Sequence, residues 1–442
     1  MKRIIITVAA AVCMVSTAVA QEKWSLRQCI DYAVENNIEI RQTALNVESA
    51  EIELNTSQNS RLPNLNASLG QSFSFGRSLV DYSYINRQAA NTSLRVSTSV
   101  PVFQGMRISN EIKQNRLNLN AATENLNKAK ENLELEITGY YLEVLFKKEI
   151  LTVYREQSAL SRDQIAKTEE MVNSGKVARS QLYDIISQNA SDEVNEINAQ
   201  NDLVLALLNL SQALNLEWSS AFDIAEPDME NVITDNISSL CSPDFIYQTA
   251  IGVKPHVREA EYRLQSSEYQ VKLAKSAYWP SISLDATFGD GYDYVFGQDF
   301  NDTFARQIRN KHSEGVGLNL SIPIFNRNAT RNSVRTARVN AANYSLQLEN
   351  VKLVLYKEIQ QAYQRAVAAQ ARYDATGRAM DAAQESFRAM QIRYDSGKAT
   401  VYEYNETQTK LLSSRSERLQ AKYDFLFRAK ILDFYMGLRI DI

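Results

Sequence analysis

Seven prolines punctuate the 442-residue chain, at 63, 101, 227, 243, 255, 280 and 323, and none falls within Val102–Glu226 or Ile324–Ile442. Proline inside a helix removes a hydrogen bond and clashes with the preceding turn, at a cost of about 3 kcal/mol. These two stretches are therefore where long helices can run unbroken. Periodicity agrees: Ile359, Ala362, Ala366, Ala369, Tyr373, Thr376, Met380, Ala383, Phe387, Met390 and Tyr394 recur at alternating steps of three and four, the heptad pattern of a coiled-coil seam. The corresponding stripe Ile137, Tyr140, Val144, Leu151, Tyr154, Ile165 and Val172 is interrupted by Lys147, Ser158, Ser161 and Thr168, which predicts a seam that is either less fully buried or shifted. A helix from Gln104 to Val172, rising ~1.5 Å per residue, is on the order of 100 Å long, against about 30 Å of bilayer hydrocarbon. It also carries Glu131, Glu134, Glu136, Lys147, Lys148 and Glu149, so it must run through water, and a soluble rod explains this part equally well.

The two halves repeat each other. Ser60-Arg-Leu-Pro-Asn-Leu-Asn-Ala-Ser-Leu-Gly70 matches Ser276–Gly289, Val96–Phe103 matches Leu318–Phe325, and Asn173-Ser-Gly-Lys176 matches Asp395-Ser-Gly-Lys398. Order and nearly constant offset indicate a duplication. Each half reads helix, strand, loop, strand, long helix, turn, long helix.

Between the helices the period changes to two. Leu65, Ala67, Leu69, Phe73 and Phe75 alternate with Asn66, Ser68, Ser72 and Ser74, while Leu94, Val96, Val100 and Val102 alternate with Arg95, Ser97 and Ser99. In the second half Ile282, Leu284, Ala286 and Phe288 alternate with Ser281, Ser283, Asp285 and Thr287, and Val316, Leu318, Leu320 and Ile322 with Gly317, Asn319 and Ser321. Each run approximates the nine to eleven residues that a tilted strand needs to cross a bilayer. A half-exposed sheet on a soluble domain would alternate in the same way. If the strands lie in lipid, open edges are not tolerated and four strands are too few to close. Three chains supply twelve, so membrane insertion implies a trimer. The polar, aromatic segments Asp81–Tyr84 and Gly289–Arg309 read as loops at a membrane–water interface.

Lys2 and Arg3, the apolar run Ile4–Val15 and Ala18-Val-Ala20 before Gln21 form the three parts of a secretory signal peptide, cleaved after Ala20. Val12 is a poor neighbour for a lipid-modified Cys13. Losing Lys2 and Arg3 takes the net charge from −4 to −6, which argues against nucleic acid as a partner. Cys29 and Cys241 are too few for a disulfide framework, and Cys29 reads as a small buried apolar residue. His256 and His312 have no clustered metal ligands, and no nucleophile elbow or phosphate-cradling loop occurs, so neither an enzyme nor a cofactor is expected. Asp290 and Asp293 lack calcium-loop spacing. The strongest rival reading is a soluble periplasmic coiled-coil scaffold.

Trp24-Ser-Leu-Arg-Gln-Cys-Ile-Asp-Tyr-Ala-Val-Glu-Asn-Asn37, Arg61-Leu-Pro-Asn-Leu65, the strand end Val100-Pro-Val-Phe103 and their duplicated counterparts together resemble the TolC-type outer membrane efflux proteins over essentially the whole mature chain. Ile38 departs from the proline many relatives carry there, although the second repeat has Pro255. The resemblance implies a mainly α fold with a membrane β-barrel portion: long coiled-coil helices forming an α-barrel, and a twelve-stranded trimeric barrel in the outer membrane of a Gram-negative bacterium. On that plan residues 1–20 are the signal peptide, and 21–63 and 254–280 are helices of a periplasmic tunnel. Residues 64–102 and 281–323 are barrel strands and extracellular loops, 103–216 and 324–436 are long helical hairpins, and 217–253 with 437–442 form a waist. The waist is expected where Asp223, Pro227, Asp228, Pro243 and Asp244 break the helical pattern. The resemblance further implies a homotrimeric exit duct contacting outer-membrane lipid, a periplasmic adaptor (membrane fusion) protein and an inner-membrane pump. The adaptor would dock on Gly175–Leu182 and Gly397–Tyr404, with Gly175, Lys176, Gly397 and Lys398 at the turns, and Glu403 and Glu406 would ring a closed aperture. Drugs, metal ions and secreted protein all remain open as cargo.

Overall fold

The computed structural model describes residues 23–80, 82–227, 241–297 and 301–440. The cleavage site Ala18, Ala20 and Gln21, together with Asp228 and the last two residues of the expected waist, lies outside the described residues. The first repeat runs α1 (Leu26–Asn36), α2 (Ile38–Asn59), β1 (Asn64–Val80), β2 (Ser83–Gln104), α3 (Arg107–Asn173) and α4 (Arg179–Ala213). The second runs α5 (Pro243–Val253), α6 (Pro255–Ser276), β3 (Ser281–Val295), α7 (Phe304–Lys311), β4 (Ser313–Ser321), α8 (Ala329–Asp395) and α9 (Val401–Tyr435). Counterpart helices have equal lengths: 11 residues for α1 and α5, 22 for α2 and α6, 67 for α3 and α8, 35 for α4 and α9.

Local chemistry explains the short helices. Ser25 caps α1 through a reciprocal box with Gln28: the Gln28 N–H donates to Ser25 Oγ (3.3 Å) and the Ser25 N–H to Gln28 Oε1 (2.8 Å). Pro243, expected to break helical structure, instead starts α5. It occupies the first helical position, where its missing N–H has no partner to lose, and Ser242 accepts from the Phe245 N–H at 3.4 Å.

The chain divides into two compact units. One comprises Met1–Ala44, Asn125–Val257 and Lys352–Ile442; the other comprises Leu45–Glu124 and Arg258–Val351. The first is helical, with a core in which Leu26, Cys29, Ile30, Ile137, Tyr141, Leu145, Leu210, Phe425 and Leu426 are buried. Each fully buried large apolar side chain there contributes about 1.5–3 kcal/mol. Cys29 is fully buried and unbridged. Every member of the Ile359–Tyr394 stripe is buried or half-buried, as a seam requires.

The α3 stripe departs from expectation. Ser158, Ser161 and Thr168 are at most 2% exposed, so the polar interruptions lie inside the packing. Helix α4 supplies matching polar groups: Ser161 Oγ donates to Asn189 Oδ1 (3.1 Å), and Gln157 Nε2 donates to Asp192 Oδ2 (3.0 Å). Small hydroxyl side chains let two helices meet while hydrogen bonds offset desolvation. Most of the α3 charges also find partners within the protein rather than water alone. Glu131 pairs with Lys254 (3.0 Å), Lys147 with Asp202 (2.7 Å), Lys148 with Asp223 (2.5 Å) and Glu149 with Lys422 (2.8 Å).

The second unit holds one antiparallel sheet in the order β1-β2-β3-β4. Strands β1, β2 and β3 have 17, 22 and 15 residues and β4 has nine, so the first three exceed the expected length. Ser83 and Tyr84, expected in a loop, belong to β2; the expected loop Gly289–Arg309 contains the end of β3 and most of α7. Alternation of apolar and polar residues fades in the outer parts of the strands, where the backbone ladder continues. Pro101 lies beyond the last β1 partner of β2, Ser99, so its missing N–H takes no bond from that ladder.

Candidate functional site

Register sorts the sheet into two chemically distinct faces. Ala67, Val96 and Phe288 are cross-strand neighbours on one face, as are Val100, Leu284 and Leu318, with Ala286 opposite Val316. Behind them, Ser68, Arg95, Gly289 and Ser313 form one row and Asn66, Ser97, Thr287 and Gly315 another. The apolar face is uncovered: Leu65, Leu69, Val316 and Leu318 are 68–79% exposed. Such a contiguous apolar surface marks a lipid or protein contact. Among the described residues both edge strands, β1 and β4, lack a partner on their outer side. By contrast, the β3 edge beyond Gly289, where β4 stops, is covered by side chains acting as a strand. Gln307 Oε1 accepts the Asp293 N–H (2.9 Å) while its Nε2 donates to the Asp293 carbonyl (2.8 Å), and Asn301 does the same for Val295 (2.8 and 2.9 Å). Sequence reading missed this helix; its one local signal is the run of Arg309 and Lys311 in the last turn after Thr303.

The two helical turns are built alike. Gly175 (φ +71°) donates to Val172 O (2.9 Å) and Lys176 N–H to Met171 O (2.9 Å); Gly397 (φ +69°) donates to Tyr394 O (2.9 Å) and Lys398 N–H to Arg393 O (2.8 Å). This is the Schellman pattern, in which a left-handed residue closes the helix and glycine avoids the Cβ penalty. Beyond the glycines the turns differ. Helix α4 begins after Ala178 with no side-chain cap, whereas Thr400 and Glu403 form a capping box on α9. Glu403 Oε2 accepts from the Thr400 N–H (2.7 Å) and hydroxyl (2.9 Å), and these bonds hold its carboxyl below the ordinary glutamate value. Glu403 therefore has a structural partner, while Glu406 is exposed one turn on. Behind this turn, Phe387, Tyr394, Val401, Tyr404 and Leu411 pack together, with the Tyr394 and Tyr404 rings 4.9 Å apart. Burial pushes the Tyr404 phenol up to about 12.

At the other end of α4 the backbone of Trp24 pairs with Asp223 and Ala225 (3.1 and 2.9 Å), and Tyr141 Oη donates to Ala225 O (2.7 Å). Burial raises the Asp223 pKa, but hydrogen bonds from Lys148 and Lys23 outweigh it and hold the carboxyl low. Lys254, between α5 and α6, is 1% exposed, with Nζ 3.0 Å from Glu131 Oε2 and 3.4 Å from the Phe434 ring centroid. Burial lowers its pKa against the attraction of Glu131. The sequence offers no sign of this, because a lysine before Pro255 reads as a surface linker.

The family described as outer membrane efflux protein matches residues 29–216 and 246–438. This chain belongs to that family. It is 22% identical to the outer membrane protein TolC of Escherichia coli K12 over 404 residues, 91% of this chain and 80% of that one. The outer membrane efflux protein BepC of Brucella suis is 21% identical over 326 residues, 73% of this chain and 67% of its own length. Among solved structures, CusC superposes with a TM-score of 0.76 at 17% identity, covering 96% of both chains, and the Campylobacter jejuni CmeC channel with 0.74 at 16% identity, covering 93% and 85%. Relatives at 22% identity are also named for cation efflux in Escherichia coli and, over 53% of this chain, for alkaline protease secretion in Pseudomonas aeruginosa. As an outer membrane efflux protein, the chain is a mainly helical outer-membrane channel with a long periplasmic helical part and, among the described residues, four strands. Among the described residues no group of His, Cys, Asp and Glu is arranged to hold a metal ion.

Proposed function

We propose that the chain is the exit duct of a tripartite efflux or type I secretion system: a homotrimeric, passive conduit without a catalytic step, joined by a periplasmic adaptor to an inner-membrane pump. The observation carrying this reading is the four-stranded sheet with a largely apolar face and, among the described residues, two unpartnered edges. In lipid each unpaired backbone group costs several kcal/mol, so the sheet must close, and three copies bring twelve strands to one barrel with the polar faces inward. Because relatives named for cation efflux and for protease secretion match alike, the duct is generic and cargo selection belongs to the pump. The region 217–253 with 437–442 serves as a waist in this arrangement, a reading supported by the pairing of Trp24 with Asp223 and Ala225.

Gly175–Leu182 and Gly397–Tyr404 are the adaptor-docking turns in this proposal, supported by the matched backbone turns at Gly175 and Gly397. Glu406, with Glu403 beside it, lines the aperture, where a threefold ring of carboxylates would attract cations. Membrane fractionation followed by mass measurement in detergent tests the core claim: a detergent-requiring trimer is expected. A protein that stays soluble without detergent would restore the scaffold reading. Cross-linking to the adaptor, lost on substituting Lys176 and Lys398, is the expected result for the turns; undiminished cross-linking and export would remove their docking role.

A further inference from the structure

The foot of the sheet, where strands give way to helices, carries charge of one sign. Segments 56–64, 104–110, 273–281 and 321–332 include Arg61, Arg107, Lys275, Arg327 and Arg331 and no aspartate or glutamate. All five side chains are exposed. Among the described residues only Arg107 has a carboxylate within ion-pair distance, that of Glu111 at 3.4 Å. The opposite end of the sheet is different: there Lys311 pairs with Asp293 (2.7 Å) and Arg306 with Asp302 (3.4 Å). Exposed aromatic residues share the basic band, with Tyr278, Trp279 and Phe325 at 54%, 61% and 80% exposure. Neither α3 nor α8, both of which start here, has an acid in its first turn. Among the described residues four of the five thus have no carboxylate in reach, and because like charges repel one another, anions from outside the chain would stabilise the band.

We propose that this band binds the phosphate groups of anionic phospholipids in the leaflet at the foot of the barrel, an inference that rests on the membrane-spanning reading of the sheet. Chemistry and position agree. Arginine forks match phosphate oxygens two at a time, lysine adds a point charge, and tryptophan and tyrosine sit at headgroup depth. The apolar rows begin within a few residues of the band, at Leu65 and Ile282, so the basic side chains lie at the boundary of the hydrocarbon. Each basic side chain near an anionic surface strengthens attraction roughly fivefold, and the effect is screened by salt.

The test uses the full chain purified in detergent and offered phosphatidylglycerol and phosphatidylcholine with identical acyl chains in equal amounts, with retained lipid counted by native mass spectrometry. Retention of phosphatidylglycerol over phosphatidylcholine by at least about fivefold is expected, collapsing at high salt. The variant Arg61→Gln, Lys275→Gln, Arg327→Gln, Arg331→Gln should retain both lipids equally. The charge-preserving Arg61→Lys, Arg327→Lys, Arg331→Lys should keep the preference, and Arg306→Gln at the far end should not change it. Equal retention by the unaltered protein, or full preference in the glutamine variant, overturns the proposal. Flotation with neutral phosphatidylcholine vesicles separates the two levels. A protein that floats without lipid preference refutes the headgroup site alone, whereas one that floats with no vesicle refutes the spanning sheet as well.

Discussion

Gly105 joins β2 to α3 at φ +56°, and a Cβ added there would lie 2.6 Å from Trp279 Cβ and 2.7 Å from the Ser276 carbonyl oxygen. Gly105→Ala therefore meets two costs. Left-handed backbone costs a residue with a side chain about 1 kcal/mol relative to glycine. Moving a backbone carbonyl and a tryptophan Cβ aside adds about 1–3 kcal/mol, for a total of roughly 2–4 kcal/mol. The second repeat supplies the control, because the equivalent Arg327 already adopts φ +55°. Arg327→Ala should change stability by less than about 0.5 kcal/mol. Both variants are compared with the parent by denaturant unfolding in one detergent, read from the helical signal, with unfolding rates substituted where refolding fails. Trp279→Ala should not rescue Gly105→Ala, because its Cβ remains. A loss of only about 1 kcal/mol for Gly105→Ala would refute the contact argument and leave backbone conformation as the whole effect.

Glu131→Gln should strand the buried Lys254 ammonium and cost about 3 kcal/mol, the low end of the range for a broken buried pair because Glu131 is 28% exposed. Adding Lys254→Met should recover part of that loss in the same unfolding assay, and additive losses would argue against direct coupling. Thr400→Ala should destabilise the start of α9 by about 1 kcal/mol, read as faster amide exchange there than in the parent, with exchange at the uncapped Ala178 turn unchanged. The Glu403 carboxyl is held below the ordinary glutamate value of 4.5, so its cap is fully present above that pH and is lost as pH falls through the depressed folded-state value. Amide protection at Glu403 should follow that acid limb, and Glu403→Gln, which keeps the capping geometry, should flatten it. Glu406→Gln should reduce cation selectivity in planar bilayers without altering stability; unchanged selectivity would remove Glu406 from the aperture.

Much of this fold was legible because two periods dominate the chain. The absence of prolines marked the long helices, and the Ile359–Tyr394 heptads identified a seam whose members are buried or half-buried. Alternation located all four strands but underestimated three. Around Gln71, Arg77 and Gln88 both faces are polar or mixed, so the ladder continues on backbone hydrogen bonds that leave no pattern in side-chain type. For the same reason Ser161 and Thr168 read as solvent-facing: they are buried against Asn189 and Tyr394 from other helices, which no local window contains. Glycine before lysine located both helical turns, yet only the structure separates the capped turn from the uncapped one. Lys254 was invisible because Glu131 and Phe434, which surround it, are distant in sequence.

Counterpart helices of equal length restrict how such a chain can change size. Removing one residue from α3 alone would rotate everything beyond it by about 100° and put the buried stripe out of phase with its neighbours. A heptad removed from α3 alone would preserve phase but leave its turn about 10 Å short of the turn after α8. Only matched excision of whole heptads from α3, α4, α8 and α9 keeps both phase and level, so the reach of this channel is adjustable in quanta, and a relative spanning a different distance should differ by paired multiples of seven.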